Sequence, residues 1–255
     1  MTATTQTLDL ARQILPSFIR QWLRLQQRAV CLSPLIGWIR FGNLRRVTPV
    51  SRVFGFDRGL CIDRYYIEQF LGRHAGDIHG RVLEVADNAY TTRFGHDRVI
   101  KSDVLYVQEG NPKATLVGDL AGENSIPSDS FDCIIFTQTL QFIYNFQAAI
   151  LSLHRILGPG GVLLATVPGI SQISRYDMDR WGDYWRFTTA SARRIFTDVF
   201  GPDNVSVESY GNVLAANAFL HGLAKEELRP DELEFRDPDY ELLITVRAVK
   251  KLDSL

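Results

Sequence analysis

Cysteine is scarce in this chain of 255 residues: Cys31, Cys61 and Cys133 offer neither an even count nor CxxC spacing. That arithmetic argues against a disulfide framework and points to reduced, buried thiols in a cytoplasmic protein, with no metal site expected. Long apolar runs are missing too, and no stretch reaches the roughly 20 residues needed to cross a bilayer. The opening MTATTQTLDL has no basic segment ahead of an apolar one, so no signal peptide is expected. Acids and lysines are absent from Ala11 to Phe56, where Arg12, Arg20, Arg24, Arg28, Arg40, Arg45, Arg46 and Arg52 stand. With Asp9 the sole acid, residues 1–56 carry +7, which leaves −8 for the rest of a chain whose net charge is −1. Two parts of opposite sign need a physical reason.

Within the basic part, Leu10, Ile14, Phe18 and Trp22 form an apolar helical stripe interrupted by Pro16, with Arg12, Arg20 and Arg24 on other faces. Two partners fit such a helix: an anionic membrane or lipid-linked acceptor, or the acidic remainder of the chain. Nucleic acid is not expected as a partner, because the chain is slightly acidic and no recognition motif is present.

What the sequence has in quantity is apolar residues, 45% of the chain, enough for a globular core. The most informative stretch is Ser130 to Pro168. Phe131 to Phe136 reads as a strand buried on both faces. Phe146, Ala149, Ile150, Leu153, Ile156 and Leu157 then recur at helical spacing. Gly158-Pro159-Gly160-Gly161 stops that helix, and Val162 to Val167 is a second apolar strand. Strand, helix, turn and strand make a right-handed βαβ unit with a parallel pair.

This unit, with Asp132 in its strand and Leu157-x-Pro159-Gly160-Gly161 before the next, resembles class I S-adenosylmethionine-dependent methyltransferases of the type 11-like group. The resemblance covers roughly Gly80 to the C-terminus. It implies an α/β fold: a Rossmann-like, seven-stranded, mostly parallel sheet with a C-terminal antiparallel strand pair, preceded by an N-terminal helical segment. The expected domains are residues 1–75, an Arg-rich helical segment or lid, and residues 76–255, the methyltransferase-like domain. Val205 to Tyr210 and Tyr240 to Val249 read as the antiparallel pair, with Thr189 to Phe200 and Asn212 to Leu228 as helices and Arg229 to Asp239 as a charged loop.

The resemblance also implies a cofactor, S-adenosylmethionine, and a set of residues to hold it. Gly80 to Val85 reads as the first strand. The family follows it with an acid and two glycines; here the loop is Glu84-Val85-Ala86-Asp87-Asn88-Ala89-Tyr90, so the acid is kept and both glycines are gone. Asn88 tolerates left-handed backbone, which makes one loss mild, while Ala86 adds a methyl group where clearance is tight. The same loop lacks GxGxxG, which argues against an NAD-dependent oxidoreductase. Arg98 to Asp103 reads as the second strand, with Asp103 at its end to accept the ribose hydroxyls. Ala114 to Gly118 reads as the third, followed by Asp119 and Leu120 to read the adenine. Thr137 and Gln138, after the fourth strand, are expected cofactor or acceptor contacts. Glu84, Asp103 and Asp119 are thus expected to share one rim of the sheet.

Upstream, Ile62 to Leu71 reads as a helix started by Asp63, and Arg58, Arg64 or Tyr65 are candidates to meet the cofactor carboxylate or the acceptor. Gly169 to Thr188 mixes Tyr176, Trp181, Tyr184, Trp185 and Phe187 with Arg175, Asp177, Asp179, Arg180, Asp183 and Arg186, a mixture suited to an acceptor pocket. Asp183 or Tyr184 is the expected proton acceptor for a hydroxyl. The function implied is methyl transfer to a small-molecule or glycan acceptor at oxygen. The alternative, suggested by the missing glycines, is a non-catalytic methyltransferase-like module.

Overall fold

The structure, a computed structural model, describes residues 37–122 and 126–252. The Leu10–Leu23 stripe therefore lies outside the described residues. The chain divides into two units, residues 1–47 and 48–255. Among the described residues of the first, a 3-10 turn spans Gly42–Leu44. The boundary falls at 47/48 rather than at 75/76, because the helix α1 (Ile62–Arg73) buries Ile62, Tyr66, Ile67, Phe70 and Leu71 within the second unit.

The second unit is built on seven strands: β1 (Gly80–Val85), β2 (Val99–Tyr106), β3 (Leu116–Val117), β4 (Phe131–Thr137), β5 (Leu157–Pro168), β6 (Val205–Tyr210) and β7 (Leu243–Val249). Their spatial order is β3-β2-β1-β4-β5-β7-β6. Strands β1 to β5 run parallel, and β7 pairs antiparallel with both β5 and β6. This is the Rossmann-like sheet with its antiparallel C-terminal pair.

Alternation along the central strands explains the layering. Ile134 and Phe136 of β4 pack on one face with helices α2 (Phe146–Ile156) and α4 (Thr189–Phe200), between which the short helix α3 (Arg175–Met178) lies in the chain. Cys133 and Ile135 pack on the other with α1 and α5 (Val213–Leu220). Both faces of β4 are covered, which is why its sequence is a continuous apolar run. Each fully buried Ile or Phe contributes about 1.5–3 kcal/mol.

Several boundaries differ from the sequence reading. Gly158–Gly161 is an irregularity within β5, where the register with β4 jumps from Phe131↔Leu157 to Cys133↔Val162. Gly160 N and Gly161 O bond to Lys250 O and N there, so the glycines prolong the pairing of β5 with β7 instead of forming a free turn. The helix expected over Asn212–Leu228 ends at Leu220, and the charged stretch after it contains the short helix α6 (Pro230–Glu234). Between β1 and β2 lie a π-helical turn, Thr91–Gly95, and a 3-10 turn, His96–Arg98. No described helix is long and apolar enough to cross a membrane.

Strand order reverses at β1: the chain moves outward through β2 and β3, then returns to the other side of β1 as β4. In open α/β sheets that reversal leaves a crevice at the carboxyl ends of the two diverging strands.

Candidate functional site

A cavity of about 940 Å³ occupies that crevice. Its floor comes from residues at or just beyond the carboxyl ends of parallel strands: Glu84, Val85, Ala86 and Asp87 after β1; Leu105, Tyr106 and Val107 of β2; Gly118, Asp119, Leu120 and Ala121 after β3; Thr137, Gln138 and Thr139 after β4. Phe54, Phe56, Asp63, Arg64, Ile67 and Tyr90 line it from α1 and the segments around it. Tyr144, Tyr176, Asp177, Arg180, Trp181, Asp183, Tyr184 and Arg186 line it opposite β5.

Of the residues expected to hold a cofactor, Glu84, Ala86, Asp87, Asp119, Leu120, Thr137 and Gln138 reach this cavity; Asn88 and Asp103 do not. Asp103 is the larger correction. Strand β2 continues three residues past it, to Tyr106, because Val104 and Leu105 extend the buried run. Asp103 therefore sits mid-strand, opposite Leu83, and only 2% of it is exposed. Arg81 Nε donates to its Oδ2 at 2.7 Å, Thr115 Oγ1 donates to its Oδ1 at 3.0 Å, and Lys101 Nζ lies 3.4 Å away. Burial alone would push this carboxyl up, but Arg81, Thr115 and Lys101 together hold it below the usual aspartate range. It ties β1 and β2 to the residue just before β3 and does not share a rim with Asp119. Asn88 spends its side chain on Ser102 Oγ, 3.3 Å away.

Glu84 is buried against the turn that follows the loop. Tyr90 N, Thr91 N and Thr91 Oγ1 donate to it at 3.2, 2.7 and 2.7 Å. Burial outweighs these bonds and lifts its carboxyl to about 7. Asp63 is half-buried, sits in the first turn of α1 and faces the same cavity, so desolvation lifts it to about 6, against the pull of the Arg64 amide and charge. Asp119 Oδ1 accepts from Ala121 N at 2.8 Å. Asp87 Oδ1 accepts from Ala89 N at 3.0 Å.

Backbone strain concentrates here. Among the described residues, five non-glycine positions have positive φ, and three of them line the cavity: Phe54 at 59°, Ala86 at 71° and Gln138 at 47°. Such conformations cost about 1–3 kcal/mol each and persist where surrounding structure imposes them. Ala86 is held by its N–H to Leu105 O at 3.0 Å and by Asn111 Nδ2 donating to its carbonyl at 2.7 Å. Left-handed backbone thus falls on Ala86 rather than on Asn88. The loop keeps the glycine-type turn after the acid without the glycine.

On the opposite wall Asp183 is engaged on both oxygens. Arg186 Nη1 and Nη2 donate at 2.5 and 2.9 Å, and Ser174 N donates at 2.9 Å. Its side chain is 2% exposed. Arg186 also donates to Gln172 O and Ser171 O, so the pair folds the 171–186 segment over the cavity. Asp183 thus lines the cavity while both its oxygens are held within the segment. Tyr184 remains at the cavity with 49% exposure, its ring 5.3 Å from that of Tyr144. Trp181 meets Tyr106 edge-on at 6.1 Å, which brings this segment across to the end of β2.

Upstream, Arg64 is the one of the three candidates that reaches the cavity. Arg58 pairs with Glu227, and Tyr65 donates to Glu234 at 2.5 Å. Phe54, Phe56, Tyr106 and Gln141 had no local signal in the sequence, since each is brought in by a distant element. No group of three or more metal-ligating side chains forms among the described residues.

The chain's contents fit an adenosyl sulfonium ligand. The volume of about 940 Å³ lies within the range of small-molecule sites, about 300–1,000 Å³. The loop after β1 turns through left-handed backbone at Ala86. Carboxylates reach the lining after β1 and β3, at Glu84, Asp87 and Asp119, whereas β2 contributes none. The profile of a family described as "Methyltransferase domain" matches residues 49–202. No curated protein matches the chain. Among solved structures, the [4+2]-cyclase SpnF aligns at 15% identity and TM-score 0.49, over 76% of this chain and 85% of its own. A SAM-dependent methyltransferase from Archaeoglobus fulgidus aligns at 11% identity and TM-score 0.48, over 73% and 94%. The Haemonchus contortus phosphoethanolamine N-methyltransferase 2, solved with phosphomonomethylethanolamine and S-adenosylhomocysteine, aligns at 16% identity and TM-score 0.49, over 83% and 56%.

Proposed function

Because the chain belongs to the methyltransferase-domain family, of the class I type whose cofactor is S-adenosylmethionine, we propose that it transfers a methyl group to a small-molecule or glycan acceptor, at oxygen. The observation that carries this reading is one continuous cavity lined both by the strand ends and by the aromatic 171–186 segment. Such a cavity has room for a donor and an acceptor side by side. When bound, S-adenosylmethionine supplies an electrophilic methyl group on a sulfonium.

Glu84, Ala86, Asp87, Asp119, Leu120, Thr137 and Gln138 would hold the donor. Aromatic faces of Tyr144, Tyr176, Trp181 and Tyr184 would hold the acceptor, and the Tyr184 phenol would orient its hydroxyl. Asp183 and Arg186 would keep this wall folded and exclude water. Placing the reacting atoms in line at short distance supplies much of the rate in such a transfer. With Cys61 and Cys133 free and buried, a reducing cytoplasmic location is part of the same reading.

The test is incubation with methyl-labelled S-adenosylmethionine and a panel of phenols, hydroxy acids and sugars, read by mass spectrometry. A methylated product supports the enzyme. Cofactor binding without any product favours the second reading, a non-catalytic module, for which the engaged carboxylate of Asp183 speaks. Contact of residues 1–56 with an anionic membrane belongs to the same proposal, and flotation with anionic vesicles tests it. Equal recovery of full-length chain and a version lacking residues 1–56 in the soluble fraction removes that contact.

A further inference from the structure

The 171–186 segment carries three arginines, Arg175, Arg180 and Arg186. Arg175 pairs with Asp179 at 3.2 Å and Arg186 with Asp183, whereas no described carboxylate lies within 4.0 Å of Arg180. Arg180 instead donates from Nη1 to Tyr176 O at 2.7 Å, and its guanidinium stands 3.5 Å from the centre of the Tyr176 ring. The backbone beneath it is fixed as well. The amides of Arg180, Trp181 and Gly182 converge on Asp177 O, at 3.0, 2.7 and 3.2 Å, as the chain leaves α3. The acids beside Arg180 in sequence are engaged elsewhere, Asp177 by Ser174 Oγ at 2.5 Å and Asp179 by Arg175. Arg180 lines the cavity, together with Tyr144, Trp181 and Tyr184.

A ring stack and one hydrogen bond hold this guanidinium in place without neutralising it. Among the described residues its hydrogen bonding stops at Nη1. Nε and Nη2 remain, and that edge of the fork matches two oxygens of a carboxylate or phosphate. The wall around it is made of ring faces and edges, Tyr144 lying 5.3 Å from Tyr184 and 5.9 Å from Trp185 between centroids. We propose that Arg180 selects the acceptor by an oxyanion. The substrate class is then a hydroxylated ring compound bearing a carboxylate or phosphate, its ring against Tyr144, Trp181 and Tyr184 and its anion on Nε and Nη2 of Arg180. The proposal rests on the methyltransferase reading above and deepens it by naming the charge of the acceptor. Two other arginines line the cavity. Arg186 is bound to Asp183 and to three backbone carbonyls, those of Ser171, Gln172 and Trp185. Arg64 belongs to α1 and lies over the Phe56 ring. Arg180 is the arginine that the aromatic segment brings to the lining with its charge unmatched.

Matched acceptors test this with methyl-labelled S-adenosylmethionine. One series is meta-hydroxybenzoate, meta-hydroxyphenyl phosphate and the neutral meta-hydroxybenzamide; the other is glucuronate, glucose 6-phosphate and glucose. In whichever series is methylated, kcat/KM should be about tenfold or more higher for an anionic member than for the neutral one, the size of one charge-assisted hydrogen bond. The carboxylate and phosphate members tell the two sources of the anion apart. Arg180→Gln should abolish the preference, chiefly through KM. It should leave the neutral member within about twofold and S-adenosylhomocysteine affinity unchanged in calorimetry. Arg180→Lys, a point charge without the fork, should regain part of the preference. Equal kcat/KM for charged and neutral members, or a preference that survives Arg180→Gln, overturns the proposal and leaves the enzyme reading standing. A wild-type chain that binds S-adenosylhomocysteine and methylates nothing in either series overturns the proposal and the enzyme reading together. One that binds no S-adenosylhomocysteine removes the cofactor reading beneath both. Arg180 is exposed, so its replacement removes the charge without opening the core.

Discussion

Replacing alanine by glycine outside a turn ordinarily destabilises a protein, by about 0.5–1 kcal/mol, through the added freedom of the unfolded chain. At Ala86 the sign should reverse. Its φ of 71° is left-handed backbone, which costs an L-residue with a Cβ about 1–2 kcal/mol. The conformation is imposed from both sides, by the bond to Leu105 O and by Asn111 on its carbonyl, so it cannot relax away. Ala86→Gly removes the strain and adds unfolded-state entropy, leaving a net gain of about 0–1 kcal/mol. For a chain of this size 1 kcal/mol corresponds to about 2–4 °C in Tm. Ala89→Gly is the internal control: it lies in the same loop at a negative φ, and should lose about 0.5–1 kcal/mol. Urea unfolding of the two variants, with equal m-values as the check on two-state behaviour, gives both differences. If Ala86→Gly lost as much stability as Ala89→Gly, the strained turn would be refuted, and with it the claim that this loop keeps the family's backbone path.

Other expectations follow from single contacts. Glu84 is raised to about 7 by burial, so the folded state holds a proton that the unfolded state releases between its ordinary value and 7. Stability should therefore fall as pH rises across that window, by roughly 3 kcal/mol at the plateau, and Glu84→Gln should flatten the slope in urea unfolding at pH 5 to 8. Arg186→Ala leaves Asp183 buried and unpaired, and should cost about 3 kcal/mol, with part regained in the Asp183→Asn double variant; a catalytic base at Asp183 would instead lose activity at unchanged stability. Asp103→Asn should destabilise by about 2 kcal/mol through loss of its Arg81 partner while leaving S-adenosylhomocysteine affinity unchanged in calorimetry.

The strands β1 and β6 and the helix α4 were readable to the residue, because each is a periodic apolar pattern closed by a clear stop: Gly201 after α4, Gly211 after β6. Asp103 was misplaced for a physical reason. A charge inside an apolar run looks like a strand end, and nothing local announces that Arg81, on the neighbouring strand, neutralises it. Asp183 was visible as a carboxylate in the right segment, but not its bonds to Arg186 and Ser174, which depend on how the 171–186 segment folds. Asp63 read as the start of a helix, and Arg64 as one of three candidates, with Arg58 and Tyr65, to meet the cofactor carboxylate or the acceptor. That Arg58 finds Glu227 and Tyr65 finds Glu234, both across the fold, emerges only from the structure. The left-handed turn fell on Ala86 because hydrogen bonding to β2 fixes that position, a constraint that side-chain preference for Asn88 could not reveal.

The central claim is that an adenosyl ligand lies across the carboxyl ends of β1 to β4. A crystal structure of the full-length chain soaked with S-adenosylhomocysteine tests it most directly. The account predicts ligand density running from Glu84, past Ala86, to Asp119 and Leu120, with Asp103 still bound to Arg81. Density at another face, or a ligand whose ribose is gripped by Asp103, would contradict it.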